Sequence, residues 1–193
     1  MRRAIFGGTF DPIHKAHLVV AREAADRFKL DQVLFIPAAN PPHKKAATSY
    51  EERYRMVELA CREDPRFVAS RLEEGKEKSY SVHTIERVAA EGGDVFFVIG
   101  ADAFAEIESW YRWQDVVRGA EFIVVTRPGH QYESPPGATV HRLETVAMPV
   151  SSSEIRDALA RGDRREALEE LPEAVAKYIR EHGLYQARSR SAG

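Results

Sequence analysis

The sequence predicts an α/β protein built on a Rossmann-like, doubly wound, mainly parallel sheet with helices on both faces. Three observations carry that expectation. Short apolar runs alternate with helical patterns through most of the 193 residues. Val95-Phe96-Phe97-Val98-Ile99-Gly100 is continuously apolar, as a strand at the centre of a parallel sheet must be. The chain also opens with a short strand, a glycine-rich turn and a helix start, Ala4-Ile5-Phe6-Gly7-Gly8-Thr9-Phe10-Asp11-Pro12-Ile13-His14-Lys15-Ala16-His17.

Arg3 to Phe6 read as the first strand, which Gly7 and Gly8 end by letting the backbone turn where a Cβ would clash. Pro12 suits a turn ahead of a helix. From Lys15 onward Leu18, Val19, Ala21, Ala24, Ala25 and Phe28 recur at helical spacing. Gln32 to Pro37 is the next strand, so the opening unit is βαβ with a right-handed crossover. Ala38 to Thr48 is a loop stiffened by Pro41-Pro42. Ser49 and Glu52 form a capping box for a helix that turns Tyr54, Met56, Val57, Leu59, Ala60 and Cys61 to the core. Phe67 to Ser70 is the third strand, and Arg71 to Lys78 reads as a solvated connection. Ser79-Tyr80-Ser81 opens a helix over Val82 to Ala90, ended by Gly92-Gly93. After the central strand come Phe122 to Thr126, a Pro-rich surface loop over Gln131 to Gly137, and a sixth strand over Thr139 to Leu143. Arg164 to Glu170 read as a solvated helix face. Pro172 starts a last amphipathic helix closed by Gly183. Residues 1–186 are read as one domain and 187–193 as a disordered tail.

Several stretches carry chemistry. The N–H groups of the Gly7-Gly8-Thr9-Phe10 loop and the following helix N-terminus gather at a strand's carboxyl end, a geometry that attracts phosphate. His14 and His17 share one side of that helix's first turn and can donate to a polyphosphate. A solvated pair and a metal pair are the other readings. The metal reading is disfavoured because no Cys and no Glu-x-x-His pattern lies nearby to complete a shell. Lys44, on the stiff loop, is a candidate phosphate contact or a plain solvated cation. Gly100 permits close approach of a ligand, and Asp102 can accept from a ribose or simply cap a helix. Both tryptophans fall in Trp110-Tyr111-Arg112-Trp113, with Trp110 assigned to a planar ligand and Trp113 to the core. Arg127 is a cation at a strand end. Ser151-Ser152-Ser153 at a helix start, with Arg156 within a turn, form a second anion nest; ordinary capping accounts for one serine. No acid–base residue stands at the centre, and positioning with charge neutralisation suffices for nucleotidyl displacement. No carboxylates cluster to hold a metal, so Mg2+ is expected to arrive with the nucleotide.

A net charge of −2 argues against a dedicated nucleic-acid or membrane surface. The single Cys61 excludes an internal disulfide framework, reads as a small core residue and fits a reducing cytoplasm. The first residues are too short an apolar start for a signal peptide, and no stretch approaches membrane-spanning length. Homo-oligomer formation is left open.

Gly-Gly-Thr-Phe-Asp-Pro-x-His-x-x-His resembles the signature of the nucleotidyltransferase superfamily, usually written His-x-Gly-His, with Ala16 in place of the glycine. Further segments match in order the bacterial nicotinate-nucleotide adenylyltransferase family: Pro-Pro-His-Lys, Ser-Tyr-Ser-Val-His-Thr, Ile-Gly-Ala-Asp, Trp-Tyr-Arg-Trp, Thr-Arg-Pro-Gly, Ser-Ser-Ser-Glu-Ile-Arg and the terminal Tyr-Ile-Arg-Glu-His-Gly-Leu-Tyr. The resemblance implies attack of a mononucleotide 5′-phosphate on the α-phosphate of ATP, with nicotinate mononucleotide as acceptor and a dinucleotide and pyrophosphate as products. It implies that His14 and His17 hold ATP phosphates, and that Ser151, Ser152 and Arg156 hold the other side of the triphosphate. Gly100 and Asp102 would then line the adenosine with Arg127 near, and Lys44 would touch phosphate. Tyr80, Ser81, Trp110 and Tyr111 would form the pyridine pocket. The family usually has threonine where Ser81 stands. Pantetheine-phosphate adenylyltransferase shares the first motif, and a catalytically silent nucleotide sensor is the alternative from outside the enzymes.

Overall fold

Six parallel strands form one sheet in the order β3-β2-β1-β4-β5-β6. The computed structural model describes residues 1–41, 45–145 and 151–187. The strands are β1 (Arg2–Gly8), β2 (Gln32–Pro37), β3 (Phe67–Ala69), β4 (Asp94–Gly100), β5 (Glu121–Thr126) and β6 (Val140–Glu144). The helices are α1 (Lys15–Phe28), α2 (Tyr50–Cys61), α3 (Ser81–Ala89), α4 (Ala101–Ala105), α5 (Trp113–Gly119), α6 (Ser152–Arg161), α7 (Arg164–Glu169) and α8 (Glu173–His182). A single 3₁₀ turn covers Ile107–Ser109.

The sheet divides the interior into two cores, as a strand period of two requires. Ala4, Phe35, Phe96, Val98 and Ile123 face one side, with buried residues of α1, α2, α6, α7 and α8. Ile5, Phe97, Ile99, Phe122 and Val124 face the other, with buried residues of α3, α4 and α5. Trp113 packs against this second core as expected. Cys61 is buried and its thiol is pushed up to about 12 by desolvation, the state of an inert core residue.

Three expectations are corrected. β1 does not end at Phe6: Gly7 and Gly8 still pair with Ile36 and Pro37, and the reversal falls on Phe10 at φ 51°. A Cβ at Gly8 would stand 3.3 Å from the Phe10 ring, a tight contact. Ser49 caps α2 by accepting from the Glu52 N–H at 3.2 Å, without the reciprocal half of a capping box. The stretch from Arg71 to Lys78 is not merely solvated; it folds back on the sheet's ligand edge, as described below.

Candidate active site

The order β2-β1-β4-β5 reverses direction between β1 and β4, the place where open parallel sheets hold ligands. Here the two strands also part. β1 pairs with β4 only from Arg2–Asp94 to Ile5–Phe97. Beyond that, Phe6, Gly7 and Gly8 pair with β2 alone, while Val98, Ile99 and Gly100 pair with β5 alone. The gap opens a cavity of about 770 Å³ whose wall runs from Gly7, Gly8 and Thr9, past Gly100, to Tyr80, Ser81, Trp110 and Tyr111. Eight of the sequence-predicted site residues thus share one cavity.

The histidine pair lies beyond its Gly8–Thr9 end. Their rings are 3.9 Å apart, and His17 packs edge-on against Phe6, a cavity residue, at 6.0 Å. The His14 backbone N–H donates to His17 Nδ1 at 3.1 Å. An Nδ1 that accepts places the proton of a neutral ring on Nε2, the outward donor. Burial lowers the His14 pKa to about 4. Burial first, and the neighbouring His14 second, hold His17 well below 6.5. Both rings are therefore neutral hydrogen-bond donors at neutral pH in the free protein.

The loop that carries them is held from five directions. The Arg53 guanidinium is 1 % exposed and donates to the carbonyls of Thr9 (2.9 Å), Ala38 (2.8 Å) and Thr48 (3.2 Å). Asp11, also buried, accepts from the Ala47 N–H at 2.7 Å and from the Tyr185 hydroxyl at 2.6 Å. Arg156 Nη1 donates to Asp11 O at 2.9 Å, and the Ser152 hydroxyl donates to Pro12 O at 2.8 Å. The Lys15 N–H donates to Glu170 O at 2.9 Å. The serine–arginine cluster and the histidines, 140 positions apart in the chain, thus meet at one rim. Two of the serines are structurally occupied: Ser151 caps α6 by accepting from the Glu154 N–H, and Ser152 ties down the loop. Arg156 uses one nitrogen of its fork there.

The far end of the cavity is aromatic. The Tyr80 and Tyr111 rings are 4.6 Å apart, His83 stands edge-on to both, and Trp110 leans on Phe97 at 6.0 Å. Tyr111 is 52 % exposed, so its ring borders the mouth. Glu73, Ser79, Ser81, Thr84, Glu106 and Ser109 add polar groups to the lining.

Some expected residues stand apart. Asp102 is exposed in the first turn of α4, off the cavity wall, and Gly100 holds the cap position instead. Arg127 is exposed, two residues past Val125 of the wall. The Phe10 ring is buried in the core, which leaves only its backbone for a ligand. Lys44 lies outside the described residues. Arg53, Asp11 and Tyr185 were missed as groups that hold the loop. Tyr185 falls in the terminal Tyr-Ile-Arg-Glu-His-Gly-Leu-Tyr match, the one signal that pointed to it. Among the described residues no group of three or more His, Cys, Asp or Glu is placed to hold a metal ion.

The chain is similar to known proteins along most of its length. The cytidylyltransferase-like family model matches residues 5–158. A Solibacter usitatus protein named "Probable nicotinate-nucleotide adenylyltransferase" is 58% identical over 190 residues, 96% of this chain and 100% of the relative. One of the same name from Thermus thermophilus is 41% identical over 189 residues, with 96% and 100% coverage. The solved Plasmodium falciparum nicotinic acid mononucleotide adenylyltransferase complexed with NaAD superposes with a TM-score of 0.80 at 19% identity, covering 95% of this chain and 97% of its own. That last likeness is one of fold.

Proposed function

This chain belongs to the nicotinate-nucleotide adenylyltransferases of the cytidylyltransferase-like family, and we propose that it uses the cavity above to transfer the adenylyl group of ATP to nicotinate mononucleotide. The products are nicotinate adenine dinucleotide and pyrophosphate, a step of NAD biosynthesis. The observation that carries the reading is the β1–β4 split. It joins the Gly7-Gly8-Thr9 loop, which leads on to the histidine pair, to an aromatic, ring-suited end within one wall.

The reaction is an in-line displacement. A 5′-phosphate oxygen of the mononucleotide forms a bond to the α-phosphorus of ATP. The bond from that phosphorus to the bridging oxygen breaks, and pyrophosphate leaves with the electron pair. His17 donates from Nε2 to the phosphate oxygens where charge develops, with His14 beside it, and the free nitrogens of Arg156 act from the other side together with Ser151 and Ser152. A neutral donor suits this role because it gives a hydrogen bond without surrendering a proton. Gly7, Gly8, Thr9 and the Phe10 backbone approach the nucleotide, Gly100, Asp102 and Arg127 the adenosine side, and Lys44 a phosphate. Trp110 stacks on the pyridine, bordered by Tyr80, Ser81 and Tyr111. The described residues offer no carboxylate shell, so Mg2+ enters as part of the ATP substrate. The setting proposed is the cytoplasm; no helix among the described residues is long and apolar enough to cross a membrane.

Pyrophosphate release from MgATP, measured with nicotinate mononucleotide, nicotinamide mononucleotide and phosphopantetheine in parallel, tests the reading. Turnover is expected with the nicotinate form. Turnover with phosphopantetheine instead would reassign the acceptor, and ATP binding without turnover of any of the three would make the chain a sensor.

A further inference from the structure

The connection from Arg71 to Lys78 lies between β3 and α3 and is tied to its surroundings throughout. Asn40 Nδ2 donates to Lys76 O at 3.1 Å, Arg87 Nη1 donates to Leu72 O at 3.2 Å, and Arg71 pairs with Glu51 at 2.7 Å. Its Leu72 packs against the second core, and the neighbouring Glu73 carboxylate accepts from the Thr84 hydroxyl at 3.2 Å; Thr84 is itself buried. Glu73 and Thr84 line the aromatic end of the cavity. Ser79 lies close to the same carboxyl but outside hydrogen-bond geometry, and its buried hydroxyl has no partner among the described residues. Burial raises the Glu73 pKa, against the smaller opposing pull of the Ser79 and Thr84 hydroxyls. The first turn of α3, which presents Tyr80 and Ser81, has no side-chain cap of its own. Val82, Ile85 and Val88 bury the helix against the second core, and Glu73 adds a tether from outside it.

We propose that Glu73 is a positioning residue for the pyridine end of the cavity: through Thr84 it holds the Ser79-Tyr80-Ser81 turn in the orientation that receives the mononucleotide. This rests on the function proposed above. It predicts a selective effect, since the ATP phosphates sit at the other end, held by separate groups.

The test compares Glu73→Ala, Glu73→Gln and Thr84→Val with the unmodified protein. Steady-state kinetics and equilibrium binding are measured separately for nicotinate mononucleotide and MgATP. Loss of one buried hydrogen bond at a ligand wall is worth about a tenfold change. Glu73→Ala is expected to raise KM and Kd for the mononucleotide about tenfold, with KM for ATP and kcat within about twofold. Glu73→Gln keeps an acceptor for Thr84 and is expected to recover most of the loss. Thr84→Val is expected to match Glu73→Ala and to add little in the double variant. If Glu73→Ala fails to fold, the other two decide. Unchanged mononucleotide affinity in Glu73→Ala and Thr84→Val overturns the proposal, as does an equal rise for both substrates. Binding of the mononucleotide by the unmodified protein without turnover would refute the functional reading alone, because the affinity ratios still decide Glu73. No binding at all would overturn both.

Discussion

The two ends of the cavity are built by opposite means. At the Gly8–Thr9 end, buried polar groups are bound to one another across four separate parts of the chain: Asp11 to Tyr185, Arg53 to three carbonyls, Arg156 and Ser152 to the loop between β1 and α1. At the Tyr80–Trp110 end, aromatic faces do most of the work. The ion pairs around them, such as Arg112–Glu86 at 2.9 Å and Arg71–Glu51 at 2.7 Å, are exposed and contribute little. Under the proposed function, in-line displacement at phosphorus suffers when a donor is misplaced by an ångström, and a cross-braced loop suits that demand. The aromatic wall carries fewer such ties, among them the Thr84–Glu73 hydrogen bond at 3.2 Å.

Substitutions that strike one end and spare the other sharpen that comparison. The largest effect is expected at the braced end. His17→Ala removes a donor to the reacting phosphates and should lower kcat by about 10²–10³, with the thermal midpoint within a few degrees of the parent. Near-native turnover would remove this imidazole from the mechanism. Next is Arg53→Met, which leaves the carbonyls of Thr9, Ala38 and Thr48 without their donor. Urea unfolding should show a loss of about 3 kcal/mol. A loss under about 1 kcal/mol would mean that the loop is held without this brace.

Acid acts on the same end. Because burial brings the His14 pKa to about 4, the folded free protein stays unprotonated there while the unfolded chain takes up a proton below about pH 6.5. Protons thus favour unfolding, and stability falls as pH drops from 6.5 towards 4. Between pH 7 and pH 5 the loss from this group is about 2 kcal/mol. His14→Gln should flatten the urea-midpoint profile over that range, and an unchanged slope would assign the acid sensitivity elsewhere. The smallest effect is expected at the aromatic end. Trp110→Ala should raise KM for nicotinate mononucleotide about tenfold while leaving KM for ATP near its starting value. Equal effects on both substrates would dissolve the division of labour between the ends.

Local sequence was enough for whatever depends on near neighbours. The β1 loop with His14 and His17 is legible because glycines, proline and helical periodicity lie within a dozen positions of each other. That Trp113 packs against the second core was readable in its own short stretch, and Trp110 packs there as well. Arg53 was not readable: it sits on α2 in an ordinary amphipathic pattern, and nothing nearby says that its guanidinium reaches three carbonyls elsewhere. Asp102 shows a different limit of local reading. A carboxylate after a glycine at a central strand end reads as a ribose contact, yet the short helix α4 starts at once and turns it outward. Glu73 was hidden in a run of charges whose natural reading is solvation.

By itself the sequence determined that strands alternate with helices, that the sheet is parallel, and that a glycine-rich turn between a strand and a helix opens the chain. Those follow from periodicity and from backbone chemistry at a few glycines and prolines. Only the tertiary structure decided that β1 and β4 part company halfway, that α6 docks its serines and Arg156 on the loop before α1, and that Glu73 turns inward. Each of these depends on groups far apart in the chain finding burial and hydrogen bonds together, and no local pattern records which distant partner will be there.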